Sequence, residues 1–265
     1  MAEIFSSLWD GAPGLVGQRI EDFGVSPQDK ISPMSDLDLG KIDGQVAKAL
    51  SNKKTALYLK AGGAQAPGAE DITLVVHAPP ALVVGGHFAE EASPAEVRFE
   101  LARGIELSRP EYILAAGVRP KPFSQLFGNV LKAFHPRHAR RRASSSEAGA
   151  DPAAELKKNV PYKVSKRLVE LFQELGSTSW SSVRWRSVVQ HTGNRAGLLL
   201  CGDLRTAARL VLKNGAPSRD LGTEELRALA KTNDELRELL RFAISEDYFV
   251  LREKIGTAIA SAAAA

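Results

Sequence analysis

Residues 81–108, ALVVGGHFAEEASPAEVRFELARGIELS, dominate the expected fold of this 265-residue chain. The first five form a short apolar run that is typical of a buried strand. After a linker, Ser93 suits a helix N-cap, Pro94 suits the first helical position, and Glu96 completes a capping box. Apolar side chains then recur every four residues, at Val97, Leu101 and Ile105. The segment therefore predicts a strand followed by a capped amphipathic helix over 94–108.

Two more short strands are predicted before this segment, at 56–59 and 72–76. Only His77-Ala78-Pro79-Pro80 separates the second of these from the strand at 81–85. Four residues are too few for a helical crossover, so we expect these two strands to pair as an antiparallel hairpin.

The rest of the chain is mostly helical in pattern, and no repeat with a period of 30–45 residues occurs. The fold class expected is α+β, mostly α, with helices packed around a small sheet of three or more short strands that includes the hairpin. Beyond 94–108, helices are expected at 4–9, within 15–23, from Ser35 to Asn52, and at 111–116, 121–134, 153–175, 179–200, 203–213, 223–242 and 245–260.

Composition predicts one globular domain over 1–265. Its expected parts are a helical N-terminal part at 1–52, a central part at 55–213 that a mobile basic loop at 136–152 interrupts, and C-terminal helices at 223–260. The chain is 44% apolar and 25% charged, with a single Cys. One Cys rules out a disulfide framework, and no run of about 18 apolar residues predicts a membrane span. We therefore expect a soluble, cytoplasmic protein with no signal peptide.

Positive charge is concentrated in one segment. Residues 112–146 contain seven Lys or Arg and no Asp or Glu. Without these seven positive charges, the net charge of the chain would be −3 instead of +4. Three interpretations are open for this basic stretch: a solvated insertion, a protein-docking arm, or a nucleic-acid or anionic-surface contact through segment 119–142. Ser144 also fits a basophilic phosphorylation pattern. The possible anion-binding residues are Arg137, Arg140, Arg141 and Arg142, which cations of the following helix would join: Lys157, Lys158, Lys163, Lys166 and Arg167.

Common catalytic motifs are missing. The sequence has no phosphate-binding glycine loop, no GxSxG elbow and no EF-hand loop, and no two His have the i, i+4 spacing of a shared metal site. Cys201 is expected to be a buried, unreactive thiol. No cofactor is predicted from these patterns.

One arrangement does stand out. The predicted helix contains Phe99-Glu100-Leu101-Ala102-Arg103, and about ninety residues later comes the segment 190–197, QHTGNRAG. This order resembles the zinc metallopeptidases of the HtpX and CAAX-protease type, in which a strand precedes an HExxH helix and a later helix supplies a Glu ligand in an ExxxD-like context. The resemblance places Phe99 and Arg103 at the two His positions, Gln190 at the Glu ligand and Asn194 at the Asp. Glu100 alone matches, at the general-base position.

These replacements imply a degenerate site. A phenyl ring and a guanidinium supply no lone pair to Zn²⁺, so the resemblance implies a pseudoenzyme without metal. Arg103 and Glu100 would then form a salt bridge where the metal would sit. The resemblance also implies a non-catalytic interaction or scaffold module with an unidentified protein partner. The chain is similar in its general sequence character to C-terminal domains that follow helical repeats in large bacterial proteins.

Two further interpretations stay open for the same helix. One is an unrecognised hydrolase in which folding brings Glu100 together with His77, His87 or His191. The other is an ordinary amphipathic helix in which Glu100 and Arg103 form a surface i, i+3 pair contributing a few tenths of a kcal/mol.

Overall fold

The structure is a computed structural model that describes residues 1–32, 35–62, 71–136, 151–176, 180–212 and 222–263. These residues form three strands: β1 (Ala56–Lys60), β2 (Ile72–Val75) and β3 (Ala81–Gly85). The α-helices are α1 (Ala2–Gly11), α2 (Asp38–Ala49), α3 (Gly86–Glu91), α4 (Pro94–Leu107), α5 (Ile113–Gly117), α6 (Pro120–Phe134), α7 (Pro152–Asn159), α8 (Tyr162–Leu175), α9 (Ser182–Cys201), α10 (Leu204–Val211), α11 (Thr223–Thr232), α12 (Asp234–Ala243) and α13 (Glu246–Ala263). The predicted α+β, mostly α class is confirmed.

The sheet has the strand order β1-β3-β2. β1 runs parallel to β3, and β2 runs antiparallel to it, so the predicted hairpin is confirmed. All five residues of β3 are buried, which explains its continuous apolar sequence. Since β2 ends the strand order, it is an edge strand of the sheet that the described residues form.

Register decides which way the backbone of β2 faces. The Gly85 N–H donates to the Asp71 carbonyl over 2.9 Å. Because hydrogen-bonded pairs alternate along an antiparallel ladder, Thr73 and Val75 also bond toward β3. The N–H and C=O groups of Ile72 and Leu74 consequently face the outer edge of the sheet.

Helix α4 begins as predicted. The Ser93 hydroxyl accepts the Glu96 N–H over 3.4 Å, and the Ser93 N–H donates to the Glu96 carboxylate over 2.8 Å. Arg209 of α10 donates to the other Glu96 oxygen over 2.8 Å. Burial acts to raise the pKa of Glu96, but the hydrogen bonds from Ser93 and Arg209 outweigh it and hold that pKa below its usual range. The capping box thus also joins α4 to α10.

Helices α4 and α9 pack closely and antiparallel. A Cβ added at Gly197 would lie 2.7 Å from Cδ2 of Phe99, and one at Gly193 would lie 2.8 Å from Cγ of Leu107. On the other side of α4, a Cβ added at Gly104 would lie 2.7 Å from Cδ2 of Leu82 in β3. Glycine at these three positions lets α4 fit between the sheet and α9.

Two predicted long helices are each broken in two. The helix expected at 153–175 ends at Asn159 and restarts at Tyr162, because Pro161 removes a helical hydrogen bond and restricts the residue before it. The helix expected at 223–242 is interrupted at Asn233, whose side chain accepts the Leu236 N–H and caps a new helix. Helix α3, at 86–91, was not predicted.

The aromatic face predicted for α6 is buried. Phe123 and Phe127 pack against Phe5 of α1, with ring centroids 5.4 and 5.9 Å from the Phe5 ring. A separate apolar cluster joins α4 to the C-terminal helices through Phe99, Leu198, Ala207 and Leu239.

Within the described ranges no helix combines the length and apolarity needed to cross a bilayer. Most of the predicted loop at 136–152, including its four Arg, lies outside the described residues.

Candidate binding cleft between β2, α4, α9 and α12

A cleft of about 460 Å³ opens where the sequence predicts the degenerate site. Its walls come from the edge strand β2 and from the helices α4, α9 and α12. The residues that line it include Asp71, Ile72, Thr73, Leu74, Glu100, Arg103, Gly117, Gln190, Leu210 and Glu235.

Arg103 links the two central helices within the cleft. Its Nη2 donates to Oε1 of Gln190 over 2.8 Å, and its Nη1 lies 3.6 Å from Oε2 of Glu100. The Glu100 side chain is only 10% exposed and that of Arg103 is 32% exposed. The predicted Glu100–Arg103 pair therefore forms, but at a helix–helix interface and not on an exposed face. We call Glu100, Arg103 and Gln190 the Arg103 network.

Asn194 extends the polar contacts one turn further along α9. It is 1% exposed, and its Nδ2 donates to Oε2 of Glu235 over 2.9 Å. Asn194 Oδ1 and Arg103 Nε are buried without a hydrogen-bond partner among the described residues. Glu235 was not predicted as a site residue; the one local signal is the Asn233 cap, which places it in the first turn of α12.

Phe99 lies apart from the cleft. Its ring is fully buried against Gly197 and in the cluster with Leu198, Ala207 and Leu239. Of the five predicted positions, Glu100, Arg103 and Gln190 line the cleft, Asn194 bonds to a lining residue, and Phe99 is part of the apolar core.

The predicted site does not fit a zinc ion. Phe99 and Arg103 offer no lone pair, and Gln190 already accepts a hydrogen bond from Arg103. Across the part of the chain that the structure describes, no three His, Cys, Asp or Glu side chains converge in a way that could hold a metal.

A second hollow, of about 600 Å³, adjoins the cleft and shares Gln190 and Glu235 with it. Arg186 lines this hollow, but its Nη1 donates to the carbonyls of Ala115 and Val118 over 2.5 and 2.6 Å. Burial lowers the pKa of this guanidinium below its usual value. Through its two hydrogen bonds to these carbonyls, Arg186 holds the end of α5 against α9.

Taken together, the lining of the two hollows is acidic. Asp71, Glu100, Asp234 and Glu235 contribute −4, while Arg103 and Arg186 contribute +2, so the lining carries −2. This sign is opposite to the net charge of +4 of the whole chain. A groove of this sign attracts cationic groups.

The other candidate catalytic residues lie elsewhere. His77 lies in the hairpin turn and His87 lies in the first turn of α3. On α9, His191 Nε2 lies 3.4 Å from Ser187 Oγ. None of the three lines the cleft. Cys201 ends α9 and is partly buried, not fully buried as predicted, and this burial raises the pKa of its thiol.

The predicted anion-binding segment is described only in part. Arg119, Lys121 and Lys132 are exposed around α6. Arg137, Arg140, Arg141 and Arg142 lie outside the described residues, as does Ser144.

Comparison with family models, curated proteins and solved structures found no match to this chain. The resemblance to zinc metallopeptidases thus stays a prediction.

Proposed function

We propose that this chain is a non-catalytic protein-interaction module that holds an extended segment of a partner along β2, with a basic side chain of that segment in the cleft. The observation that carries the proposal is the Arg103 network. It places in the cleft wall a guanidinium that Glu100 and Gln190 bind, at the position where the resemblance would place a metal.

Several common catalytic side chains are missing from the described lining of the cleft. Among its described lining residues there is no Ser, Cys, His or Lys. The one carboxylate at a general-base position, Glu100, is engaged by Arg103. A general base must be within hydrogen-bond reach of the proton that it removes and must be available to accept it. These features favour binding without bond cleavage.

The edge strand supports the binding of an extended segment. Ile72 and Leu74 line the cleft and turn their backbone N–H and C=O groups to the outer edge of the sheet. An extended peptide adds to such an edge through main-chain hydrogen bonds, and pockets for its side chains then give specificity. β2 and the cleft supply these two elements side by side.

Charge indicates which side chain the cleft selects. Among the described residues that line it, Asp71, Glu100 and Glu235 are acidic and Arg103 is the single cation. A lysine or arginine of the partner would form charge-assisted hydrogen bonds with carboxylates of this lining. An acidic side chain would meet three carboxylates.

Selection from a random peptide library tests the proposal. We expect the full chain to enrich extended peptides with a Lys or Arg near their middle. A selected peptide should bind Glu235→Gln roughly 5- to 10-fold more weakly, because one of the cleft carboxylates is lost while the amide oxygen still accepts from Asn194. Glu238→Gln is the matched control, since Glu238 lies on the same helix, pairs with Arg195 and Arg241, and does not line the cleft.

Three results would overturn the proposal. The first is enrichment with no basic preference, and the second is equal weakening by Glu235→Gln and Glu238→Gln. The third is cleavage of the selected peptides, seen as fragments by mass spectrometry, which would make the chain a hydrolase.

A further inference from the structure

The corner between α7 and α8 presents positive charge around one exposed aromatic ring. We define the α7–α8 corner as Lys157, Lys158, Tyr162, Lys163 and Lys166. Residues 156–169 carry four Lys and one Arg and no Asp or Glu. All four Lys are exposed, and Tyr162 is 84% exposed.

These lysines are not neutralised within the described part of the chain. None of the four forms an ion pair or hydrogen bond there, whereas the nearby Arg167 pairs with Glu3, Glu170 and Glu174. Arg167 lies four residues after Lys163, so the two share the polar face of α8. Arg167 ties the helix to α1, and the lysines face solvent.

The corner sits on rigid elements. Leu156 and Val160 are buried beneath α7 and its turn, and Leu168, Leu171 and Phe172 are buried beneath α8. Tyr162 and Lys166 are four residues apart on α8, and Lys163 and Lys166 are three apart, so the three side chains share one face of the helix. Lys157 and Lys158 lie in the last turn of α7, within five residues of Tyr162.

We infer that the α7–α8 corner binds single-stranded nucleic acid, with the lysines on successive phosphates and a base stacked on the Tyr162 ring. Cationic grooves with exposed aromatic rings bind single strands without sequence preference, because every base has a face that stacks. The neighbours Asn159, Pro161 and Ser165 offer no large apolar side chain for insertion between lipids, which favours a polynucleotide over a bilayer. This inference concerns a surface outside the cleft and does not depend on the proposed function.

Fluorescence anisotropy with labelled dT12 and U12, at several salt concentrations, tests the inference on the full chain. We expect the logarithm of the association constant to fall with the logarithm of salt with a slope of about −3, from four phosphate contacts on a single strand. Replacing all four lysines by Gln should flatten that slope to near zero. Comparing the two oligonucleotides shows whether the sugar matters.

Tyr162 separates stacking from charge. Tyr162→Ala should weaken binding about 10-fold without changing the salt slope, while Tyr162→Phe should bind like the parent chain. Lys53→Gln with Lys54→Gln is the matched control, since both lysines are exposed and lie before β1. Circular dichroism of each variant confirms that these exposed substitutions leave the fold intact.

Several outcomes would overturn the inference. Binding that survives the four-lysine variant but is lost when Arg137, Arg140, Arg141 and Arg142 become Ala would move the site to that segment. Lysine-dependent binding to vesicles containing phosphatidylserine, without binding to either oligonucleotide, would make the corner a membrane contact. Absence of binding to either oligonucleotide at 50 mM salt would also refute it.

Discussion

Replacing Gly197 by alanine should destabilise the fold, because it forces apart the two helices that position the cleft. The new methyl group would lie 2.7 Å from Cδ2 and Cε2 of Phe99 and 3.0 Å from the Phe99 carbonyl oxygen. The ring is fully buried and the carbonyl belongs to the backbone, so neither can move aside without shifting α4. Overpacking of this kind costs about 1–3 kcal/mol, and the better helix propensity of Ala returns at most about 1 kcal/mol. We expect a net loss of about 1–2 kcal/mol in the free energy of unfolding.

Urea unfolding followed by circular dichroism measures this loss. Gly128→Ala is the matched control, since Gly128 lies within α6 and a Cβ there would meet no atom within 4 Å. That variant should be more stable than the parent by up to about 1 kcal/mol. Phe99→Leu in the Gly197→Ala background should recover part of the loss by removing the ring. If Gly197→Ala gains stability as Gly128→Ala does, the close packing of α4 on α9 is wrong.

Three further changes test single groups. Burial raises the pKa of Asp43 from 3.8 to about 6, so its ionised form is disfavoured in the folded state. Asp43→Asn should therefore add up to about 3 kcal/mol to the free energy of unfolding at pH 7, and this gain should shrink as the pH falls from 6 to 4. A gain that does not vary with pH would contradict the reasoning. Arg103→Met should lower the free energy of unfolding by roughly 1–3 kcal/mol, because it removes the donor to Glu100 and Gln190. In a double-mutant cycle, adding Glu100→Gln should restore part of the lost stability, whereas strictly additive losses would mean that the pair is not coupled. Cys201, whose thiol pKa burial raises, should react with a thiol reagent at pH 7.5 at least about 10-fold more slowly in the folded chain than in urea, and equal rates would show that it is accessible.

Local chemistry was enough to predict the elements around the cleft. Ser93, Pro94 and Glu96 predicted the start of α4 because a capping box joins residues only three positions apart. The four-residue turn predicted the hairpin for the same reason. The Glu100–Arg103 pair was predictable because i, i+3 neighbours on one helix must lie close together.

Local helix breaks interrupted two apolar patterns that run on through them. Apolar periodicity continued through Pro161 and Asn233, so the sequence suggested two long helices where the chain forms four. Periodicity reports which side chains are buried, and two consecutive helices on the same core can keep it across a break. Pro161 was a visible signal for the first break, and Asn233, a residue type common at helix N-caps, was a weaker signal for the second.

The sequence by itself determined that Phe99 and Arg103 cannot ligate zinc, since that follows from the chemistry of a phenyl ring and a guanidinium. Only the tertiary structure decided what these residues do instead. Arg103 meets Gln190 across 87 positions, and Asn194 meets Glu235 across 41. Phe99 lies in the core and not in the cleft, because the absence of a side chain at Gly197 leaves space for its ring. Such pairings depend on how whole helices pack, and no spacing within a single helix or strand encodes which distant side chain will complete a polar contact.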